Sequence, residues 1–146
     1  MNIYIASSWK NVHAVEMLTA LLRERGHTVL SFVENNHGEN PNSSINEKAG
    51  EKPVPFDEWC ASQDGARSFT YDIAGATTSD LVIYVGPSGT DAWAEVGAAW
   101  ASGRLILGLW AKGEPVGLMR RMVEWSTDYR QLLINVDSVV KAKEKQ

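Results

Sequence analysis

The stretch LVIYVGPSGTDAWAEVG, residues 81–97, carries the strongest structural signal in the sequence. Its first part, Leu81–Val85, is a continuous apolar run of strand length, which is typical of a strand buried on both faces of a sheet. Gly86 and Gly89 then predict a turn, and an Ala- and Trp-rich helix is predicted over Asp91–Ser102. The sequence therefore places a buried strand, a glycine-containing turn and a helix in direct succession.

The same alternation of strand and helix signals extends to both sides of this stretch. Further strands are predicted at Asn2–Ser7, His27–Val33, Leu105–Trp110 and Gln131–Val136. Further helices are predicted at Ala14–Arg25, Phe56–Thr77 and Pro115–Trp125, with Asp137 capping a short last helix. Strands that are separated by helices pair in parallel. The prediction is an α/β fold, a three-layer sandwich with a five-stranded parallel sheet of the flavodoxin or Rossmann-like kind.

Length and composition indicate one ordinary globular domain over residues 1–146. The 146 residues are 44% hydrophobic and 22% charged, close to the averages of folded domains. The formal net charge of -4 gives no general attraction to phosphate backbones, so no nucleic-acid partner is expected. No apolar run reaches the ~18 residues of a membrane span, so no membrane partner is expected either. The single cysteine, Cys60, cannot form an internal disulfide, which fits a cytoplasmic protein.

One long segment, Asn35 to Pro53, has no helical or strand period and is rich in polar residues, glycine and proline. Loops longer than about 12–15 residues are usually functional covers or flexible segments. This segment leaves the carboxyl end of a predicted strand, where open α/β sheets bind their ligands. A flexible lid over a ligand site and a simple surface insertion are therefore both open interpretations.

Two strand ends carry residues suited to ligand binding. Ser7, Ser8 and Trp9 follow the first strand, and Ser88, Gly89 and Thr90 follow the third. The ring of Trp9 offers a face on which a base can stack. Gly89 lets the backbone approach a ligand closely. Ser88 and Asp91 have capping-box spacing, which predicts that amides near Gly89 open the helix and receive an oxyanion or a sugar hydroxyl.

Two acids are candidate catalytic groups. Glu95 follows within about one turn of the predicted helix start, where the helix dipole favours the ionised carboxylate that a nucleophile requires. Asp72 lies in the helix before the third strand. The alternative for both is an ordinary acid on a solvated helix face.

No cofactor and no metal are predicted. The three histidines, His13, His27 and His37, are scattered, and Cys60 is alone, so metal-ligand spacing is missing from the sequence. The sequence also lacks a Walker A pattern and a GxGxxG after the first strand. ATPases and dinucleotide-dependent dehydrogenases are therefore poor matches.

The chain resembles the nucleoside 2-deoxyribosyltransferase family and its nucleotide N-glycosidase relatives. The residues that carry this resemblance are Ser7–Trp9, Asp72 and the stretch GTDAWAEVGAAWASG. The resemblance implies a five-stranded parallel sheet between helices. It also implies cleavage of the N-glycosidic bond of a 2'-deoxynucleoside or nucleotide, followed by transfer of the sugar to another base or to water. The substrate is then a small molecule, and no cofactor takes part.

The resemblance also implies roles for individual residues. Glu95 would be the nucleophile at the anomeric carbon, and Asp72 would hydrogen-bond the base and help to protonate its leaving nitrogen. Tyr4 would orient the nucleophile, and Trp9 would flank the base. Members of the family are homo-oligomers in which a neighbouring subunit completes the pocket, a contribution that Met119 matches.

Several alternatives stay open at the level of sequence. Gly89 stands six residues before Glu95, where the transferases carry an acid and the nucleotide-cleaving relatives a serine. Gly117 stands where the transferases' neighbour-subunit asparagine is expected. Nucleoside or 5'-monophosphate, and transfer or hydrolysis, are thus undecided. A non-catalytic nucleotide-binding sensor module and a flavodoxin-like redox protein are the rival interpretations.

Overall fold

The computed structural model of the protein describes residues 1–34 and 55–145. Within these ranges the centre of the molecule is a sheet of five parallel strands in the order β2-β1-β3-β4-β5. The strands are β1 (Asn2–Ala6), β2 (Thr28–Ser31), β3 (Leu81–Val85), β4 (Leu105–Leu109) and β5 (Glu124–Ser126). The predicted α/β fold with a five-stranded parallel sheet is confirmed. The segment proposed as a lid, 35–53, lies outside the described residues and stays a prediction.

Helices cover both faces of the sheet. They are α1 (Val12–Glu24), α2 (Phe56–Ala61), α3 (Gln63–Thr78), α4 (Thr90–Ala101) and α5 (Tyr129–Glu144). Successive side chains of a strand point to opposite faces, so the two faces have separate cores. Ile3 and Ile5 pack with α1 and α5, whereas Tyr4 and Tyr84 pack with α3 and α4. The three predicted layers follow from this alternation.

The C-terminal third differs from the prediction. The predicted strand Gln131–Val136 is wrong, because these residues lie inside α5, and the fifth strand is Glu124–Ser126. The predicted helix Pro115–Trp125 is also wrong, since that region holds only a short 3-10 turn at Leu118–Met122 before β5. Asp137 is inside α5 and does not cap a helix.

The cause of these errors is visible in the burial of α5. Leu132, Leu133 and Val136 are buried while Ile134 is 56% exposed, which is a helical and not a strand pattern. The helix begins earlier than predicted because the side chain of Asp128 accepts a hydrogen bond from the backbone N–H of Arg130. The segment Phe56–Thr77, for which mixed helical character was predicted, forms the two helices α2 and α3, which meet at Ser62.

The strand order positions the candidate site. The chain moves outward from β1 to β2 and then returns to place β3 on the other side of β1. The crevice at such a switch point, beyond the carboxyl ends of the strands, is where open α/β sheets bind ligands. Gly75 allows α3 to pack against β1 there, because a Cβ at this position would overlap the ring of Tyr4.

Candidate active site

Tyr4, Asp72 and Glu95 meet beside this crevice, although they come from three different elements. Tyr4 lies in β1 and is completely buried, and its hydroxyl donates a hydrogen bond to Oε2 of Glu95 over 2.9 Å. Asp72 lies in α3, one turn before Gly75, and Glu95 lies in the second turn of α4. The fold therefore brings together the two acids and the tyrosine that the resemblance implied.

Asp72 and Glu95 line a cavity of about 540 Å³. The cavity also has aromatic walls, formed by Trp9, Phe32, Phe56, Trp59 and Phe69. The rings of Trp9 and Phe32 pack edge to face with their centroids 5.3 Å apart. Such a cavity, mostly apolar with a few converging polar groups, is typical of a small-molecule site.

The two acids have raised pKa values. Burial, followed by the charge of Asp72, raises the pKa of Glu95 to about 8, although the hydrogen bond from Tyr4 acts in the opposite direction. Burial also raises the pKa of Asp72 to about 6, and the nearby Tyr4 hydroxyl acts in the opposite direction. The pKa of the Tyr4 hydroxyl is raised far above its usual value by burial and then by the charges of Glu95 and Asp72.

These values correct one expectation. The helix dipole was expected to favour the ionised form of Glu95, but burial in the cavity favours the protonated form and raises the pKa. Between about pH 6 and pH 8 the two acids together hold one proton.

The serines after β1 have structural contacts. The hydroxyl of Ser7 donates to the backbone carbonyl of Val85 over 2.7 Å and ties the end of β1 to the end of β3. The hydroxyl of Ser8 accepts from the backbone N–H of Lys10 and caps the short 3-10 turn Trp9–Asn11. Of the three predicted residues in this region, only Trp9 lines the cavity.

The turn before α4 differs from its prediction. The capping box is wrong, because the N-cap is Gly89 and no side chain caps the helix. Ser88 is buried, and its hydroxyl has no hydrogen-bond partner among residues 1–34 and 55–145. Gly89 and Thr90 are exposed at the start of α4. None of the three belongs to the described lining of the cavity.

Met119 is not part of the cavity of its own chain. It lies in the 3-10 turn after β4 and is 56% exposed, next to Leu118 at 73% and close to Val116 at 99%. These three apolar side chains are thus available for contact with another molecule.

Sequence reasoning missed two groups of residues. Asp91, considered only as a cap, lines the cavity together with Phe32, Phe56, Trp59, Cys60 and Phe69. For Asp91 the signal was present, because residues four apart on a helix share a face and Glu95 is four residues later. The aromatic residues gave no such signal, since they come from separate elements.

The second missed group surrounds Glu114, whose side chain is only 2% exposed. Its carboxylate accepts hydrogen bonds from the Tyr84 hydroxyl at 2.6 Å, the Trp93 indole at 3.1 Å and the Arg120 guanidinium at 3.3 Å. Arg120 also lies over the Trp93 ring, 4.0 Å from its centroid. This network joins β3, α4 and the turn Leu118–Met122.

Residues 1–34 and 55–145 contain no group of three histidine, cysteine or acidic side chains arranged to hold a metal ion. Across those residues, every helix is too short or too polar to cross a membrane.

Solved structures of two enzymes share this fold. A 2-deoxyribosyltransferase from Bacillus psychrosaccharolyticus aligns with a TM-score of 0.67 and 19% identity over 90% of each chain. A CMP N-glycosidase from Clostridium botulinum aligns with a TM-score of 0.58 and 17% identity over 94% of this chain and 99% of that one. No protein-family model and no curated protein sequence matches the chain. The two enzymes are of the kinds that the resemblance named, which confirms it at the level of the fold.

Proposed function

We propose that the protein cleaves the N-glycosidic bond of a 2'-deoxynucleoside or its 5'-monophosphate, with Glu95 as nucleophile. The observation that carries this proposal is the hydrogen bond from Tyr4 to Glu95 beside a cavity that Asp72 also lines. A carboxylate held by a buried hydroxyl and a second carboxyl able to carry a proton are the two groups that retaining glycosidases require. The fold shared with a 2-deoxyribosyltransferase and a CMP N-glycosidase supports the same reaction class.

The cavity suits a nucleoside in shape and polarity. The flat faces of Trp9 and the other aromatic residues offer stacking surfaces for the base. The acids on α3 and α4 then face the sugar and the bond that joins it to the base.

In the first step, an oxygen of Glu95 forms a bond to C1' of the sugar. The bond between C1' and the base nitrogen breaks, and its electron pair stays on that nitrogen. Asp72 gives the base a proton, directly or through a water molecule. The products are a free base and a deoxyribosyl ester of Glu95.

In the second step, the nitrogen of another base or the oxygen of water attacks C1'. The bond between C1' and Glu95 breaks, the carboxylate is released with its electron pair, and the attacking group gives its proton to Asp72. Transfer and hydrolysis differ only in which of the two attacks. The proton count returns to its starting value.

The single proton on the acid pair fits this sequence of steps. Bond cleavage requires an ionised Glu95 and a protonated Asp72, whereas in the free protein the one proton can lie on either carboxyl. Both arrangements contain one proton, so binding of the base next to Asp72 need only move it from one carboxyl to the other.

The test is release of free base from a panel of 2'-deoxynucleosides and their 5'-monophosphates. The native protein should release base, and Glu95→Gln should not, because an amide cannot form the ester. Glu24→Gln, an exposed change on α1 at the other face of the sheet, is the matched control and should behave like the native protein. Equal activity of Glu95→Gln and the native protein would refute the role of Glu95.

A non-catalytic nucleotide-binding module is the second candidate. It is favoured by the raised pKa of Glu95, since a protonated carboxyl is a poor nucleophile. It predicts thermal stabilisation by nucleosides or nucleotides without turnover. Free base in excess over the protein would eliminate it.

We also propose that the protein is a homo-oligomer that acts in the cytoplasm. The exposed apolar residues Val116, Leu118 and Met119 support contact with a second subunit, where Met119 would complete the pocket. Sedimentation analysis should give a mass above that of one chain, and Met119→Asp should lower it.

A further inference from the structure

The start of α4 is held by hydrogen bonds that the proposed steps do not use. Trp93 lies two residues before Glu95 on this helix. Its indole N–H is shared between the Tyr84 hydroxyl at 3.0 Å and Oε1 of Glu114 at 3.1 Å. The Tyr84 hydroxyl in turn donates to Oε2 of Glu114 over 2.6 Å. The three side chains form a closed triangle, in which Tyr84 and Glu114 are buried.

The neighbouring residues keep the Glu114 carboxylate in one place. Gly86 makes room for it, because a Cβ at this position would overlap the carboxylate and crowd the Tyr84 ring. The Arg120 guanidinium lies 3.3 Å from Oε1 of Glu114 and supplies the positive charge that a buried carboxylate needs. The triangle therefore offers the Trp93 indole a fixed acceptor.

Two tyrosines from adjacent strands hold α4. Tyr84 in β3 accepts from Trp93, and Tyr4 in β1 donates to Glu95 over 2.9 Å. The strands β1 and β3 are paired, and both tyrosines are completely buried in the same core. Residues two apart on a helix do not point to the same side. The contacts of Trp93 and Glu95 therefore restrain α4 on two different sides.

The apolar face of α4 restrains its rotation only weakly. Its buried residues are Ala92, Val96 and Ala99, and apolar contact has no preferred direction, whereas hydrogen bonds have preferred angles. The side chains of a helix end about 5–6 Å from its axis, so a rotation of about 10° moves them by about 1 Å. A displacement of this size at a reacting group can cost about 100-fold in rate.

We infer, on the basis of the proposed function, that Trp93 is a positioning residue for the nucleophile. Its indole N–H, held by the Tyr84 hydroxyl and the Glu114 carboxylate, fixes the rotation of α4. That rotation places the Glu95 carboxylate against the Tyr4 hydroxyl. The two contacts act as one unit, because each fixes the carboxylate only while the other is present.

The experiment uses Trp93→Phe, which removes the N–H and keeps an aromatic ring, with the substrate that the native protein cleaves fastest. The value of kcat should fall about tenfold and KM should change less than about twofold. Both limbs of the pH profile should move to higher pH, because the Tyr4 hydroxyl lowers the pKa values of Glu95 and Asp72 and its contact is weakened. Trp100→Phe, at an exposed tryptophan on the same helix, should leave kcat and both limbs unchanged.

The limbs report geometry in this variant. The described residues whose charge or hydroxyl acts on Glu95 are Tyr4, Asp72 and Asp91, and Trp93→Phe changes none of them. A role of Trp93 in stability alone would leave the limbs at their native pH.

A double-mutant cycle measures the link between the two contacts. The variant Tyr4→Phe/Trp93→Phe should be at most about threefold slower than Tyr4→Phe, because the first substitution already removes what the second would disturb. Independent effects would multiply and make it about tenfold slower. Tyr84→Phe removes the other side of the same hydrogen bond, keeps its ring, and should move the limbs in the same direction. Circular dichroism establishes that each variant is folded.

The results distinguish a failure of this inference from a failure of the proposed function. If the native protein releases base but Trp93→Phe has native limbs, or if the losses multiply in the double variant, Trp93 does not position Glu95 and the proposed function is unaffected. If no substrate of the panel yields free base, the proposed function fails and this inference fails with it.

Discussion

At the scale of single residues, the chemistry depends on how one proton is divided between Glu95 and Asp72. Neither acid is unusual as a residue type, and the raised pKa of each comes first from burial in the cavity. The Tyr4 hydroxyl opposes that rise in both pKa values, and its hydrogen bond to Glu95 stabilises the charged form of that acid. The pKa values of the two acids thereby stay near neutral pH, where one acid can be ionised while the other is protonated.

The pH dependence of kcat/KM should be bell-shaped, with limbs near pH 6 and pH 8. Below the lower limb both acids are protonated and the nucleophile is lost. Above the upper limb both are ionised and the base has no proton donor. Initial rates between about pH 4.5 and pH 9.5 measure this directly. A profile without an alkaline limb would contradict the assignment of Asp72 as proton donor.

Tyr4→Phe should lower kcat about 10- to 100-fold, since it removes a hydrogen bond to a charged group that must react. It should also move both limbs of the pH profile to higher pH, because the hydroxyl lowers the pKa of both acids. The matched control is Tyr129→Phe, an exposed tyrosine on α5. If both limbs of the pH profile lie at the same pH in Tyr4→Phe as in the native protein, the hydroxyl does not set these pKa values.

At the scale of elements, α4 is held by the polar network around Glu114, to which it contributes the indole of Trp93. The carboxylate receives donors from β3, α4 and the turn Leu118–Met122, and it is almost completely buried. Removing it leaves the partly buried guanidinium of Arg120 and the hydroxyl of Tyr84 without their acceptor, whereas the Trp93 indole keeps its hydrogen bond to the Tyr84 hydroxyl.

Glu114→Ala should therefore lower the free energy of unfolding by about 2–4 kcal/mol. Glu124→Ala, an exposed acid on β5, should change it by less than about 1 kcal/mol. Urea unfolding followed by circular dichroism measures both values. Equal effects of the two substitutions would show that the network does not stabilise the helix.

Some elements could be predicted because their signals are local. The bounds of β3 were predicted as observed, since an apolar run of strand length is followed directly by the turn signals Gly86 and Gly89. The region after β4 was mispredicted because Leu132, Leu133 and Ile134 form a short apolar run that reads equally well as a strand. Only packing on the sheet decides between the two, and packing is not visible in a short window.

At the scale of the whole molecule, the layer order was predictable and the composition of the site was not. Alternating strands and helices dictate a parallel sheet with two covered faces. Glu95, Asp72 and Tyr4 were assigned through a resemblance, because nothing local links three residues on three elements. The aromatic walls of the cavity were not predicted, because the residues that form them are spread along the chain between Trp9 and Phe69. They meet only after the chain folds.

The central claim is that Glu95 becomes bonded to the sugar, and the intact mass of acid-quenched protein tests it most directly. After mixing with a 2'-deoxynucleoside, a fraction of the native protein should gain the mass of one deoxyribosyl group, located on the peptide that contains Glu95. Glu95→Gln should show no gain. Release of base with no adduct, or with an adduct on another residue, would contradict the claim.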